Sequence, residues 1–154
     1  HYFTSAVGEI NVVEEMKRHQ AVIGGEGNGG VIYPVLHYGR DAIAGIALFL
    51  THLAKSRMKC SELRKTYPDY YIAKKKLELP SGFDFKTILA DIRTQFSDHE
   101  IDERDGMRIE HRDGWVQIRK SNTEPVIRIY AEARTMNDAE NMADTVIAIV
   151  NKVK

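Results

Sequence analysis

Arg119-Lys120-Ser121-Asn122-Thr123-Glu124-Pro125 gathers a guanidinium, two hydroxyls and a carboxamide into one short stretch closed by a proline. A phosphate ester asks for that set: donors at fixed positions and a full positive charge beside them. The stretch lies between two alternating apolar runs, Trp115 to Arg119 and Val126 to Ala133. In a strand, successive side chains point to opposite faces. Val116 and Ile118 therefore share one face with Ile127, Ile129 and Ala131, the face that helices should cover. Arg119 and Arg128 fall on the opposite, open face and flank Ser121, Asn122 and Thr123. Two cations beside a hydroxyl-rich turn with exposed backbone N–H groups would cradle an anion. Ser, Asn, Thr and Pro are also favoured in turns for backbone reasons alone. On spacing alone the ordinary turn outweighs the site, and the paired arginines narrow that gap without reversing it.

A second stretch, Gly24 to Gly30, carries side chains only at Glu26 and Asn28. No Lys-Ser/Thr follows it, so it is not a nucleotide-binding P-loop. Read alone, it is a flexible surface turn. The acids Asp102, Glu103 and Asp105 have the spacing of a solvated turn. The six histidines (His1, His19, His37, His52, His99, His111) are scattered, which argues against a metal site. Cys60 is the one cysteine. It excludes an intramolecular disulfide framework, is compatible with a reducing cytoplasm, and reads as structural or surface rather than as a nucleophile.

The elements that must position these loops follow from hydrophobic period. Asn11 to His19 reads as a short helix, and Ala21 to Gly25 as a buried strand running into the glycine-rich loop. Ile43, Ile46, Ala47, Leu50, Leu53 and Ala54 mark a helix, with Asp41 where an N-cap or first-turn acid belongs. The rhythm changes at residues 56–59, so the chain divides into 1–57 and 58–154. The first segment holds too little sheet for a complete α/β domain, as if it began inside one. Beyond the boundary, Ser61 to Tyr67 reads as a short helix stopped before Pro68. Tyr70 to Leu79 reads as a strand, with Tyr71, Ala73, Leu77 and Leu79 on one side. Phe85, Ile88, Leu89, Ile92 and Phe96 mark a helix. Met107 to His111 and Trp115 to Arg119 form a hairpin about Asp113-Gly114. Val126 to Ala133 is a further strand, and Asp138 to Val150 the last helix. The fold class is an α/β fragment followed by an α+β domain, an antiparallel sheet with helices packed on one face.

The totals set limits. Lys plus Arg (22) equals Asp plus Glu (22), so no global field favours nucleic acid or an anionic membrane, and any anion site is local. The apolar run Ile43 to Leu50 falls well short of the roughly 18 residues of a membrane span. The first residues lack the basic start and long apolar core of a secretory signal.

Arg119-x-Ser121-Asn122-Thr123-x-Pro125, followed by Arg128 and Glu132, closely resembles the phosphate-binding loop in the C-terminal domain of α-D-phosphohexomutases. These are the phosphoglucomutases, phosphomannomutases and phosphoglucosamine mutases. Gly25-Glu26-Gly27-Asn28-Gly29-Gly30 resembles the sugar-recognition loop of the same family's third domain, and Val7-Gly8 and Gly39-Arg40-Asp41 fit around it. Both motifs occur in the family's order, and the resemblance spans essentially the whole chain. It implies the end of domain three plus domain four, the latter TATA-box-binding-protein-like, with a hinge near residues 56–59. It implies an intramolecular phosphotransferase that interconverts hexose 1-phosphate and 6-phosphate through a phosphoserine and Mg²⁺, both held by N-terminal domains absent from this chain. The chain alone should be inactive and hold no metal. Arg119, Ser121, Asn122 and Thr123 would clamp the non-reacting phosphate, with Arg128 in support. Glu26 and Asn28 would hold ring hydroxyls; a carboxylate accepts from two at once, and flanking glycines let the sugar approach the backbone. The family commonly has serine where Asn28 stands and histidine where Gly30 stands. Where some members carry a ligand-contacting histidine this chain has Glu9, a carboxylate that would suit an amino sugar. The implied partners are a phosphorylated hexose and the missing domains, without nucleic acid or membrane. Two other classes remain open from sequence: a stand-alone sugar-phosphate-binding module, and an α+β domain binding nucleic acid on an open sheet face.

Overall fold

A computed structural model describes residues 1–78, 84–121 and 124–152. The chain forms two compact units, His1–Pro68 and Asp69–Lys154. The division falls after the expected 57/58 boundary because the short helix α3 (Cys60–Arg64) belongs with the first unit. Its Leu63 is buried, and His52 on the preceding helix hydrogen-bonds the Tyr67 hydroxyl at 3.0 Å.

The first unit starts with α1 (Glu9–His19), which buries Met16 and ends on Gln20 in a left-handed conformation. Two short strands, β1 (Gly24–Gly25) and β2 (Val31–Ile32), pair antiparallel across the glycine-rich loop. The expected buried strand over Ala21 to Gly25 is thereby corrected: only its last two residues pair, and Val22 and Ile23 are exposed. Within this unit β1 has β2 as its one strand partner, and nothing covers the apolar residues before it. Helix α2 (Ala42–Ser56) starts where expected, with the Asp41 carboxylate accepting the Ala44 N–H at 2.9 Å. Its buried residue is Ala44, whereas Ile43, Ile46 and Leu50 are exposed.

The second unit is a five-stranded antiparallel sheet in the order β3-β7-β6-β5-β4. Its strands are β3 (Tyr71–Glu78), β4 (Ile101–Asp102), β5 (Met107–His111), β6 (Gly114–Lys120) and β7 (Val126–Ala133). The two-residue β4 was not expected; it is too short to show a period of two. Helices α4 (Phe85–Gln95) and α5 (Met136–Lys152) pack on one face. The core joins Ile88 and Ile92 of α4 and Ala143, Val146 and Val150 of α5 to Ile109, Val116, Ile118, Ile127, Ile129 and Ala131 of the sheet, all fully buried. Helix α5 begins ahead of the expected Asp138 because Thr135 caps it. The Thr135 hydroxyl accepts the Asp138 N–H at 3.1 Å and donates to the Asp138 carboxylate at 2.6 Å. No helix among the described residues is long and apolar enough to cross a membrane.

Two features of this unit bear on stability. Gly106, at φ +73°, lies against β6, and a Cβ there would stand 2.2 Å from the Ile118 carbonyl oxygen and 2.9 Å from the Arg119 Cα. Gly106→Ala should lower stability by about 1–3 kcal/mol from the backbone conformation alone, read as a lower denaturation midpoint; an unchanged midpoint would contradict the contact. His111 packs against Phe96 and His99, with ring centroids at 5.9 and 4.8 Å. Burial, and then the nearby His99, hold its pKa below the ordinary histidine value. The unfolded chain thus takes up this proton at a higher pH than the folded one. The second unit should therefore lose stability as pH falls from about 6.5. Melting curves between pH 7.5 and 5.5 should show that loss, and His111→Asn should reduce it.

Candidate functional site

The expected phosphate loop sits where β6 hands over to β7. Cross-strand pairing places Ile118 opposite Ile129, both buried, and Arg119 opposite Arg128 on the other face. Ser121 follows, 7% exposed, its N–H donating to the Val126 carbonyl at 2.9 Å. Asn122 and Thr123 lie outside the described residues. Glu124 returns to the sheet, and its carboxylate meets the Arg128 guanidinium at 3.2 Å. Arg119, Ser121 and Arg128 are therefore close together at one end of the sheet, on elements fixed by the core beneath.

Three residues outside the motif, Asp105, Tyr130 and Lys76, stand around this loop. Asp105 was assigned to a solvated acidic turn, yet its carboxylate lies 3.9 Å from the Arg119 guanidinium. Its carbonyl accepts the Gln117 side-chain N–H at 3.0 Å, which ties the turn to β6. The Asp105-Gly106 dipeptide ahead of a strand is a turn signal that could have shown this. The other acids of that run pair with cations, Asp102 with Arg104 at 2.5 Å and Glu103 with Arg93 at 3.1 Å. Tyr130 stands two residues past Arg128 on the same face, opposite Gln117. A hydrogen bond from Arg128, the Arg128 charge and the nearby Arg119 draw the Tyr130 hydroxyl below its ordinary pKa, against the opposing effect of burial. Lys76 on β3 faces Arg128 from the other side. The Arg119 Nε–H is buried and finds no acceptor among the described residues.

In the first unit, the glycine-rich loop is closed by its own backbone. The Glu26 N–H donates to the Gly30 carbonyl and the Gly29 N–H to the Glu26 carbonyl, each at 3.1 Å. Asn28 Oδ1 accepts the Gly30 N–H at 2.9 Å. This leaves its amide N–H groups as the donors Asn28 can offer to a ligand. Gly30 lies close to Arg40: a Cβ there would lie 2.7 Å from Arg40 Cδ, and the arginine side chain would have to shift. The histidine that the family commonly places at this position would not fit this arrangement without moving Arg40. Arg40 connects two acids. Its Nε donates to Glu9 Oε2 at 2.8 Å, its backbone N–H donates to Glu9 Oε1 at 3.1 Å, and its Nη1 lies 4.0 Å from Glu26. Both Glu9 oxygens thus accept from Arg40, and each keeps a further acceptor site. Local spacing marks Arg40 only as part of a helix entry, because a partner 31 residues away leaves no trace in it.

The family model for the alpha/beta/alpha domain III of phosphoglucomutase/phosphomannomutase matches residues 1–71, and the model for the C-terminal domain matches residues 72–149. The chain belongs to the phosphoglucomutase/phosphomannomutase family. It is 36% identical over 146 residues to the phosphoglucosamine/phosphogalactosamine mutase of Sulfurisphaera tokodaii, covering 94% of this chain and 32% of that protein. It is also 36% identical over 148 residues to the phosphoglucomutase/phosphomannomutase of Thermococcus kodakarensis, again 32% of that protein's length. Among solved structures, a phosphoglucomutase/phosphomannomutase family protein from Burkholderia thailandensis matches with a TM-score of 0.73 and 25% identity, over 95% of this chain and 31% of that one. The chain thus spans about a third of the length of these relatives.

Tyr130 gives the site a spectroscopic handle. Its ring ¹³Cζ signal, assigned by loss in Tyr130→Phe, should titrate below the ordinary tyrosine value of about 10. Arg128→Ala should move that titration upward; an unmoved midpoint would contradict the contact with Arg128.

Proposed function

We propose that this chain is the sugar- and phosphate-recognising portion of a phosphohexomutase, a protein that interconverts hexose 1-phosphate and hexose 6-phosphate in the cytoplasm. The observation that carries the reading is the opposed pair Arg119 and Arg128 on the sheet face away from the core, beside the Ser121 turn. Each guanidinium presents N–H donors in a fixed fork suited to phosphate oxygens. The Arg119 and Arg128 side chains are 24% and 35% exposed, so both forks are open to a ligand. Asn122 and Thr123 belong to the same proposed loop by their place in the motif.

In the first unit, Glu26 accepts from ring hydroxyls while Asn28 donates through its amide. Arg40, held by Glu9, places its positive charge 4.0 Å from the Glu26 carboxylate. In phosphoryl transfer, positioning and charge stabilisation supply most of the catalysis, and positioning is the share assigned to these residues. The Mg²⁺ and phosphoserine of the family belong, on this reading, to its N-terminal domains. Among the described residues no three His, Cys, Asp or Glu side chains gather to hold a metal, and no step is assigned through one here.

In the protein that contains this chain, Arg119→Ala should raise the KM for hexose phosphate about 10- to 100-fold, the worth of a charge-assisted hydrogen bond of ~1.5–3 kcal/mol. Wild-type KM in that variant would sink the phosphate clamp. The purified 154-residue chain should turn over no hexose phosphate, and measurable turnover would overturn the division of labour.

A further inference from the structure

The open face of the sheet carries a charge pattern that strand pairing alone opposes. Lys76 stands opposite Arg128, and Arg128 stands opposite Arg119. Three cations are therefore abreast on β3, β7 and β6, on the face turned away from the helices. Directly opposed residues of antiparallel strands have Cβ atoms about 4.5–5.5 Å apart, and like charges so placed are destabilising. Two such pairs in one row call for compensation.

The described residues compensate only part of it. Glu124 reaches Arg128 at 3.2 Å, and Asp105 lies 3.9 Å from Arg119. Lys74, next along the outer face of β3, sits over the Tyr130 ring at 5.8 Å. Lys76 is exposed and has no carboxylate within 4.0 Å among the described residues. Glu78, two residues further on the same face, is opposite Val126, and among the described residues no ion pair joins it to Lys76. The row ends beside Ser121, where the proposed phosphate loop starts.

We propose that Lys76 is a third cation of the phosphate-binding face, contributing a point charge to a bound phosphate beside the forks of Arg119 and Arg128. The inference rests on the phosphate reading of the 119–128 region and extends it to a strand that reading does not include. A lysine suits this role because its ammonium attracts the anion without demanding a fixed geometry. The repulsion within the row is the cost of keeping the face ready for an anion. Removing Lys76 should therefore weaken anion binding and relieve the empty protein at the same time.

The test is a titration of the 154-residue chain with inorganic phosphate, followed through the backbone amides of residues 119–128. Lys76→Gln should weaken binding about fivefold, the weight of one charge at about 4 Å in water, and should raise the thermal midpoint of the empty chain. Lys76→Arg should bind within about twofold of wild type, because it retains the charge. Arg119→Ala tests the parent reading and should remove most of the amide response. Wild-type phosphate affinity in Lys76→Gln, with binding lost in Arg119→Ala, would overturn the role of Lys76 and leave the phosphate loop standing. Undiminished binding in Arg119→Ala would overturn the phosphate loop itself, and Lys76 with it. Binding that stays weak in Lys76→Arg, or a thermal midpoint lowered in Lys76→Gln, would also overturn the electrostatic role.

Discussion

The pairing of β6 with β7 is the constraint on which the second unit depends. One register decides both faces of the sheet at once. Ile118 opposite Ile129 and Val116 opposite Ala131 join the sheet to α4 and α5. Arg119 opposite Arg128 and Gln117 opposite Tyr130 are the outward complement of that same register. A slip of one residue would drive the arginines into the core and expose the isoleucines. The core thus does more than hold the fold: burying the isoleucines places two guanidiniums side by side next to the Ser121 turn. On the proposed reading, phosphate recognition and stability share one set of backbone hydrogen bonds.

The glycine-rich loop of the first unit is built on a different principle. There the backbone closes on itself, and Arg40, paired with the distant Glu9, brings its Nη1 to 4.0 Å from Glu26. Gly30 matters because Arg40 occupies the volume that a side chain would need. The family's usual histidine at that position and this chain's arrangement of Arg40 are therefore mutually exclusive as the loop stands. On the proposed reading, two loops of unlike construction have complementary roles: the first would offer a carboxylate and an amide to hydroxyls, and the second cations to an anion.

Much of this could be read from sequence where the period is clear. The strand β7 has the limits Val126 and Ala133 that alternation predicts, because a half-buried strand states its two faces in every pair of residues. The same alternation put Arg119 and Arg128 on the open face. What escaped was non-local or too short to be periodic. β4 is two residues long, and Arg40 finds Glu9 across 31 positions. Lys76 joins the cation row only through the pairing of β3 with β7, strands separated in sequence by α4 and the rest of the sheet. Val22 and Ile23 misled for the opposite reason: their composition reads as buried, and within the unit nothing covers them. Hydrophobicity in sequence predicts a need for burial, not the identity of what buries.

The most direct test of the central claim, that the β6–β7 turn recognises phosphate and the glycine-rich loop recognises hydroxyls, is a pair of amide shift maps of the chain. One is recorded with glucose 6-phosphate and one with glucose. The account predicts that the phosphorylated sugar shifts residues 119–128 and 25–30, and that the shifts at 119–128 vanish with the unphosphorylated sugar. Shifts at 119–128 of equal size with both sugars, or none there with either, would contradict it.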